Sequence, residues 1–132
     1  MIIKFEVLGD PVPKGRPRFA MRGRFPHTYT PKKTVEFEEL VKWKAMENKP
    51  KELILSGVVL QVDFHIRKPA YIKTELVIIP HTKKPDCSNL VKCIEDAMND
   101  IIYKDDGQIW DEHIRKFYAL IPKTIITIEW EV

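Results

Sequence analysis

Residues 57 to 67, GVVLQVDFHIR, alternate Val58, Leu60, Val62, Phe64 and Ile66 against Gln61, Asp63, His65 and Arg67. A two-residue period sends successive side chains to opposite sides of the backbone, so this segment is a strand with one buried face. A single strand of that kind needs paired neighbours and a cover over its apolar side. The rest of the chain supplies both. IIKFEVL, 2 to 8, is a second strand, and the segments from Gln108 to Leu120 and from Thr124 to Val132 are rich in β-branched and aromatic residues around Pro122. These last two are expected to pair as neighbours.

Two stretches switch to the helical period. TVEFEELVKWKAMEN places Phe37, Leu40, Val41 and Ala45 on one face, with Thr34 available as N-cap and Pro50 as stop. SNLVKCIEDAMNDI places Leu90, Val91, Ile94, Met98 and Ile101 together, which predicts a helix over about 88 to 100 with Asp86, Ser88 or Asn89 as its cap. The order β, α, β, α, β, β implies an α/β (α+β) sandwich in which two main helices pack on a small mixed sheet. A chain of 132 residues fits one such domain, 1–132. Between these elements, GDPVPKGRPRF holds three prolines and two glycines and must be a loop. Residues 68 to 85, bounded by Pro69, Pro80 and Pro85 around the apolar LVII, are open between loop, short strand and flap.

Charge is unevenly placed. Residues 1 to 33 hold eight basic residues (Lys4, Lys14, Arg16, Arg18, Arg22, Arg24, Lys32, Lys33) against Glu6 and Asp10, whereas residues 86 to 112 hold eight acids against Lys92 and Lys104. A basic arm joined to an acidic cluster suits an enzyme that holds phosphates with one segment and a divalent cation with the other; the competing reading is plain solvated surface. No apolar run approaches the roughly 20 residues that span a bilayer, and MIIKFEVLGD is too short and acidic for a secretory signal, so a cytoplasmic protein with no membrane partner is expected. Cys87 and Cys93, six apart on a helix, are separated by roughly 9 Å along its axis, too far for a disulfide.

The densest chemistry lies in KPDCSNLVKCIEDAMNDIIYKDDGQI. Residues four apart share a helix face, so Ser88, Lys92 and Asp96 form a polar stripe, with Asp86 just before it at the positive helix terminus. After Tyr103 the chain turns, and Asp105 and Asp106 return toward the helix. Carboxylates from two elements make a hard-oxygen site of the kind Mg²⁺ prefers, and a lysine among them suits charge developing on a phosphate. Cys87, Cys93, His81 and His113 lack zinc-like spacing. Phe19 and Phe25, interleaved with the arginines, suit stacking on exposed bases. Trp43 and Trp130 are expected in the core or at a dimer contact; Trp110 stays open.

This pattern resembles the RusA family of Holliday-junction resolvases, whose signature runs P-D-x-D-N-L-x-K, an Asp four residues on, then D-D-x-Q. Pro85, Asp86, Asn89, Leu90, Lys92, Asp96, Asp105, Asp106 and Gln108 stand in those places, and GDPVPKGRPRF followed by YTPKK is similar to the Gram-positive and phage branch. The resemblance spans nearly the whole chain. It implies a homodimeric, Mg²⁺-dependent endonuclease, with Mn²⁺ as a substitute, that nicks four-way DNA junctions symmetrically in recombination and repair. Asp86, Asp106 and Lys92 would be catalytic; Asp86, Asp105 and Asp106, with Ser88, would face the metal; Asp96 and Asn89 would support them; Lys14, Arg16, Arg18, Arg22, Arg24, Lys32 and Lys33 would bind DNA. Ser88 departs from the signature, which has an acid there. The alternative is therefore a catalytically weakened junction-binding protein with the same fold.

Overall fold

The computed structural model describes residues 1–15, 18–23, 25–72 and 79–131, with 18–20, 22 and 25–28 followed as backbone alone. Five strands form one sheet: β1 (Ile2–Leu8), β4 (Val58–Arg67), β5 (Ile79–Pro80), β6 (Ile109–Ala119) and β7 (Lys123–Trp130), in the order β1-β7-β4-β6-β5. β4 and β6 run parallel; the other pairs are antiparallel. Two helices, α1 (Lys32–Asn48) and α2 (Cys87–Ala97), bury one face each in a core shared with the sheet. A separate hairpin joins β2 (Arg18–Arg22) to β3 (Phe25–Tyr29).

β4 is the centre of the sheet because it has the most to bury. Val58, Leu60, Val62 and Phe64 are all fully inaccessible, and the residues between them are half-buried on the other face. This corrects the expected pairing of the last two strands, since β4 lies between β6 and β7. The linker Leu120-Ile121-Pro122 has only to step across two strand spacings, roughly 10 Å, which is within reach of three extended residues. Pro122 has no N–H for a ladder, but its carbonyl accepts a hydrogen bond from Gly9 N at 3.1 Å.

The helices differ from expectation in detail. α1 begins at Lys32 with Pro31 as its cap, so Thr34 lies inside the helix and points inward. Its buried side is Thr34, Phe37, Val41 and Ala45, and Leu40 is turned to solvent at 51% exposure. Thr34 is buried because its hydroxyl has partners, accepting from Gly15 N at 3.1 Å and donating to the Pro13 carbonyl at 3.2 Å. α2 starts at Cys87 and ends at Ala97, three residues before the expected limit, and Asp86 is the cap residue. Asp100 at φ 63° breaks the helical path and is followed by the fully buried Ile102 and Tyr103. Two further segments are placed by the structure. The loop expected through residue 19 becomes β2 at Arg18, with Arg22 paired to Phe25 across a turn holding Gly23 at φ 63°. The open segment 68–85 contributes the short edge strand β5, while 73–78 lie outside the described residues.

Candidate active site

Tyr103 decides where the acidic turn goes. Its ring is buried and its hydroxyl donates to the Glu95 carbonyl on α2 at 2.7 Å, which fastens the chain after the helix back against it. The next residues form a 3-10 turn, Asp106–Gln108. Gln108 locks this turn to the start of β4: its amide donates to the carbonyls of Ile54 and Ser56, both at 2.9 Å, and its carbonyl oxygen accepts from Asp105 N at 2.9 Å. The Asp105 carboxylate accepts from Gly107 N at 2.9 Å and so caps its own turn. Asp106 is left facing α2.

There Lys92 and Asp106 meet. The Lys92 ammonium lies 3.1 Å from Asp96 Oδ1 and 3.6 Å from Asp106 Oδ2, joining two of the expected residues on α2 to one on the turn. The Asp96 hydrogen bond and the surrounding negative charge hold the Lys92 pKa above the usual lysine value. Asn99 donates to the other Asp106 oxygen at 3.4 Å. Asp96 reaches further, since its Oδ2 pairs with Lys14 at 3.3 Å, and Lys14 also binds Glu38 of α1 at 2.5 Å.

The remaining predicted residues are placed as follows. Asp86 caps α2 by position, and its Oδ2 pairs with Lys84 at 2.9 Å; among the described residues no hydrogen bond or ion pair links it to the Lys92 group. The segment leading to it is held by Lys116 of β6, which donates to the carbonyls of Lys83 and Pro85 at 2.7 and 2.8 Å. Ser88 is exposed in the first turn of α2, and the Asn89 carbonyl accepts from Lys14 N at 2.8 Å. Of the arm, Lys32 and Lys33 are exposed at the start of α1, and Lys32 pairs with Glu36 at 3.7 Å. Arg18 and Arg22 lie in β2, their side chains outside the description, and Arg16 and Arg24 lie outside the described residues.

The sequence reading missed a carboxyl pair. Glu95 of α2 and Glu112 of β6 share a hydrogen bond beside Lys92. Burial pushes the Glu95 carboxyl up, the Glu112 bond and charge push it further, and it reaches about 8 although Lys92 works against the shift. Glu95 adjoins Asp96 in sequence and was visible as an acid; Glu112 lies 17 positions away and only the packing of β6 on α2 brings it near. Cys93, also on α2, is a free buried thiol pushed up to about 12, chiefly by burial.

Among the described residues, no three His, Cys, Asp or Glu side chains converge as a preformed metal cage. The donor chemistry nevertheless suits a hard divalent cation. Among the described residues Glu38, Asp96 and Asp106 share Lys14 and Lys92, and burial together with the neighbouring Glu112 favours a proton on Glu95. Mg²⁺ needs only one or two carboxylates, with water and phosphate oxygens completing its shell.

The family model for Endodeoxyribonuclease RusA matches residues 9–129 of the chain. A Bacillus subtilis (strain 168) protein, "Uncharacterized protein YqaN", is 35% identical over 134 residues, covering 96% of this chain and 94% of its own length. No helix among the described residues is long and apolar enough to cross a membrane.

Proposed function

Because the chain belongs to the RusA endodeoxyribonuclease family, whose members resolve branched DNA by phosphodiester hydrolysis, we propose that it cleaves four-way junctions with the help of Mg²⁺ held at the α2 end of the molecule. The observation that carries this reading is the sharing of one ammonium, Lys92, between a helix carboxylate and the Asp106 carboxylate returned by the Tyr103 turn. Asp86 and Asp106 would hold the cation, with Asp105 and Ser88 beside them, and Asn89 and Asp96 in support. When bound there, such an ion would supply Lewis acidity at the scissile phosphate. Lys92, already fixed by two carboxylates, stands ready to stabilise negative charge on the phosphate oxygens. Arg16, Arg18, Arg22, Arg24, Lys32 and Lys33 would hold the DNA backbone. The protein would act in the cytoplasm as a homodimer, since two symmetric nicks are most simply made by two sites on a two-fold axis, and Mn²⁺ would substitute for Mg²⁺.

Ser88 favours a second reading, a junction binder with weakened cleavage, because an exposed hydroxyl stands where the family has an acid. A labelled four-way junction titrated with Mg²⁺ separates the two: the proposed enzyme nicks it, and the weakened form binds without cutting. Asp86→Asn and Asp106→Asn should each lower cleavage by at least roughly 100-fold, about 2.7 kcal/mol in barrier, with binding retained. Full activity in either variant would remove that residue from the site.

A further inference from the structure

Lys14 lies in the basic arm, yet its surroundings are those of a buttress. Its backbone N–H donates to the Asn89 carbonyl on α2 at 2.8 Å. On either side the chain is tied to the buried Thr34 hydroxyl of α1, through the Pro13 carbonyl at 3.2 Å and Gly15 N at 3.1 Å. Gly15 is needed for this approach, because a Cβ there would stand 2.7 Å from the Pro31 side chain. With the backbone fastened to both helices, the ammonium is aimed between them, at Glu38 of α1 and Asp96 of α2.

The two oxygens of Asp96 are thereby divided. Oδ2 goes to Lys14 at 3.3 Å and Oδ1 to Lys92 at 3.1 Å. A carboxylate held at one oxygen by a fixed cation has its rotation settled and gives less of its charge to a second cation. Lys92 is then free to lean toward Asp106 Oδ2, 3.6 Å away. Without Lys14, both Asp96 oxygens would turn to Lys92 and draw it from the position where it serves the phosphate. A phosphate contact by Lys14 would instead have to compete with both of its ion pairs for the same ammonium. We propose that Lys14 is a positioning residue for Lys92, acting through Asp96, and is no part of the arm's grip on the DNA backbone. This rests on Lys92 being the catalytic lysine.

The test compares Lys14→Met, Lys14→Arg and Lys92→Met on a labelled four-way junction in Mg²⁺, measuring the cleavage rate at saturating protein together with the junction Kd and its dependence on salt. Lys14→Met should cut at least about tenfold more slowly at saturation, with Kd and the log–log salt slope unchanged, and Lys14→Arg should recover most of the rate. A phosphate contact gives the opposite split: a weaker Kd, a slope flatter by about 0.9, and an undiminished rate at saturation. That result overturns the inference. Lys92→Met cutting at the natural rate would overturn the catalytic reading and this inference with it; Lys92→Met dead beside an unimpaired Lys14→Met would overturn this inference alone. Should Lys14→Met fold poorly because Glu38 is left unpaired, the Lys14→Met/Glu38→Gln double variant removes the stranded charge. It should keep the slow cleavage, and a return to the natural rate would show that Lys14 only neutralises Glu38.

Discussion

The two helices lie in one core but are held in different ways. α1 has seventeen residues and buries four of them, Thr34, Phe37, Val41 and Ala45. Leu40, Trp43 and Met46 are left in solvent, and ion pairs such as Lys44–Glu47 at 3.4 Å decorate the outside. α2 has eleven residues and buries five, Leu90, Val91, Cys93, Ile94 and Ala97. A narrow contact leaves a helix some freedom to roll about its axis. A wide one fixes the roll and, with it, the direction of every polar side chain on the other side. The proposed chemistry sits on α2, where Lys92, Glu95 and Asp96 inherit their aim from the core beneath them. α1 contributes Glu38 and Thr34, both of which act on the loop before it.

The comparison breaks first at the centre of α2. Ile94 is fully inaccessible, so Ile94→Ala removes three buried carbons and leaves a cavity, at a cost of about 3 kcal/mol in urea unfolding. A loss below about 1 kcal/mol would mean that α2 is not the better-anchored helix.

A smaller effect sharpens the electrostatic side. Glu95 is raised from an ordinary 4.5 to about 8 by burial and by Glu112, so the fold favours its protonated form. Stability from that proton is complete below the unfolded value and is lost as pH rises through about 8. Glu95→Gln mimics the protonated group at every pH. In chelator-treated protein it should match the natural chain near pH 4.5 and exceed it at pH 8.5 by about 1 kcal/mol, the half-buried pair being screened by water. Parallel melting curves for the two proteins across this range would show that the Glu95–Glu112 pair holds no extra proton.

The smallest effect belongs to α1. Trp43 is 69% exposed, so Trp43→Ala should leave the urea midpoint within about 0.5 kcal/mol of the natural chain. A loss comparable to that of Ile94→Ala would place Trp43 in a contact that the isolated chain does not contain.

Much of this was legible along the chain. β1, β4 and the inner face of α2 follow from apolar residues recurring at two or at 3.6 positions, and Lys92 and Asp96 share a face because they are four apart. The motif from Pro85 to Gln108 led to the family that the match over residues 9–129 bears out. Periodicity and motif spacing are local, set by how the backbone directs successive side chains, and they can be read without knowing what lies opposite. Opposition itself was beyond reach. Thr34 looked like a cap until the arm's backbone supplied partners for its hydroxyl, and Leu40 fitted the apolar face of α1 until Thr34 took the inner position. β6 and β7 read as neighbours because only three residues separate them, yet β4 entered between them with a more apolar face. Lys14 read as one cation of the basic arm, and only the approach of α1 to α2 sets Glu38 and Asp96 around it; Glu95 meets Glu112 only through the packing of β6. Which strand is central and which charges meet depend on filling one shared volume with every segment at once. That choice is made by contacts between residues far apart in the chain, so it belongs to the tertiary structure.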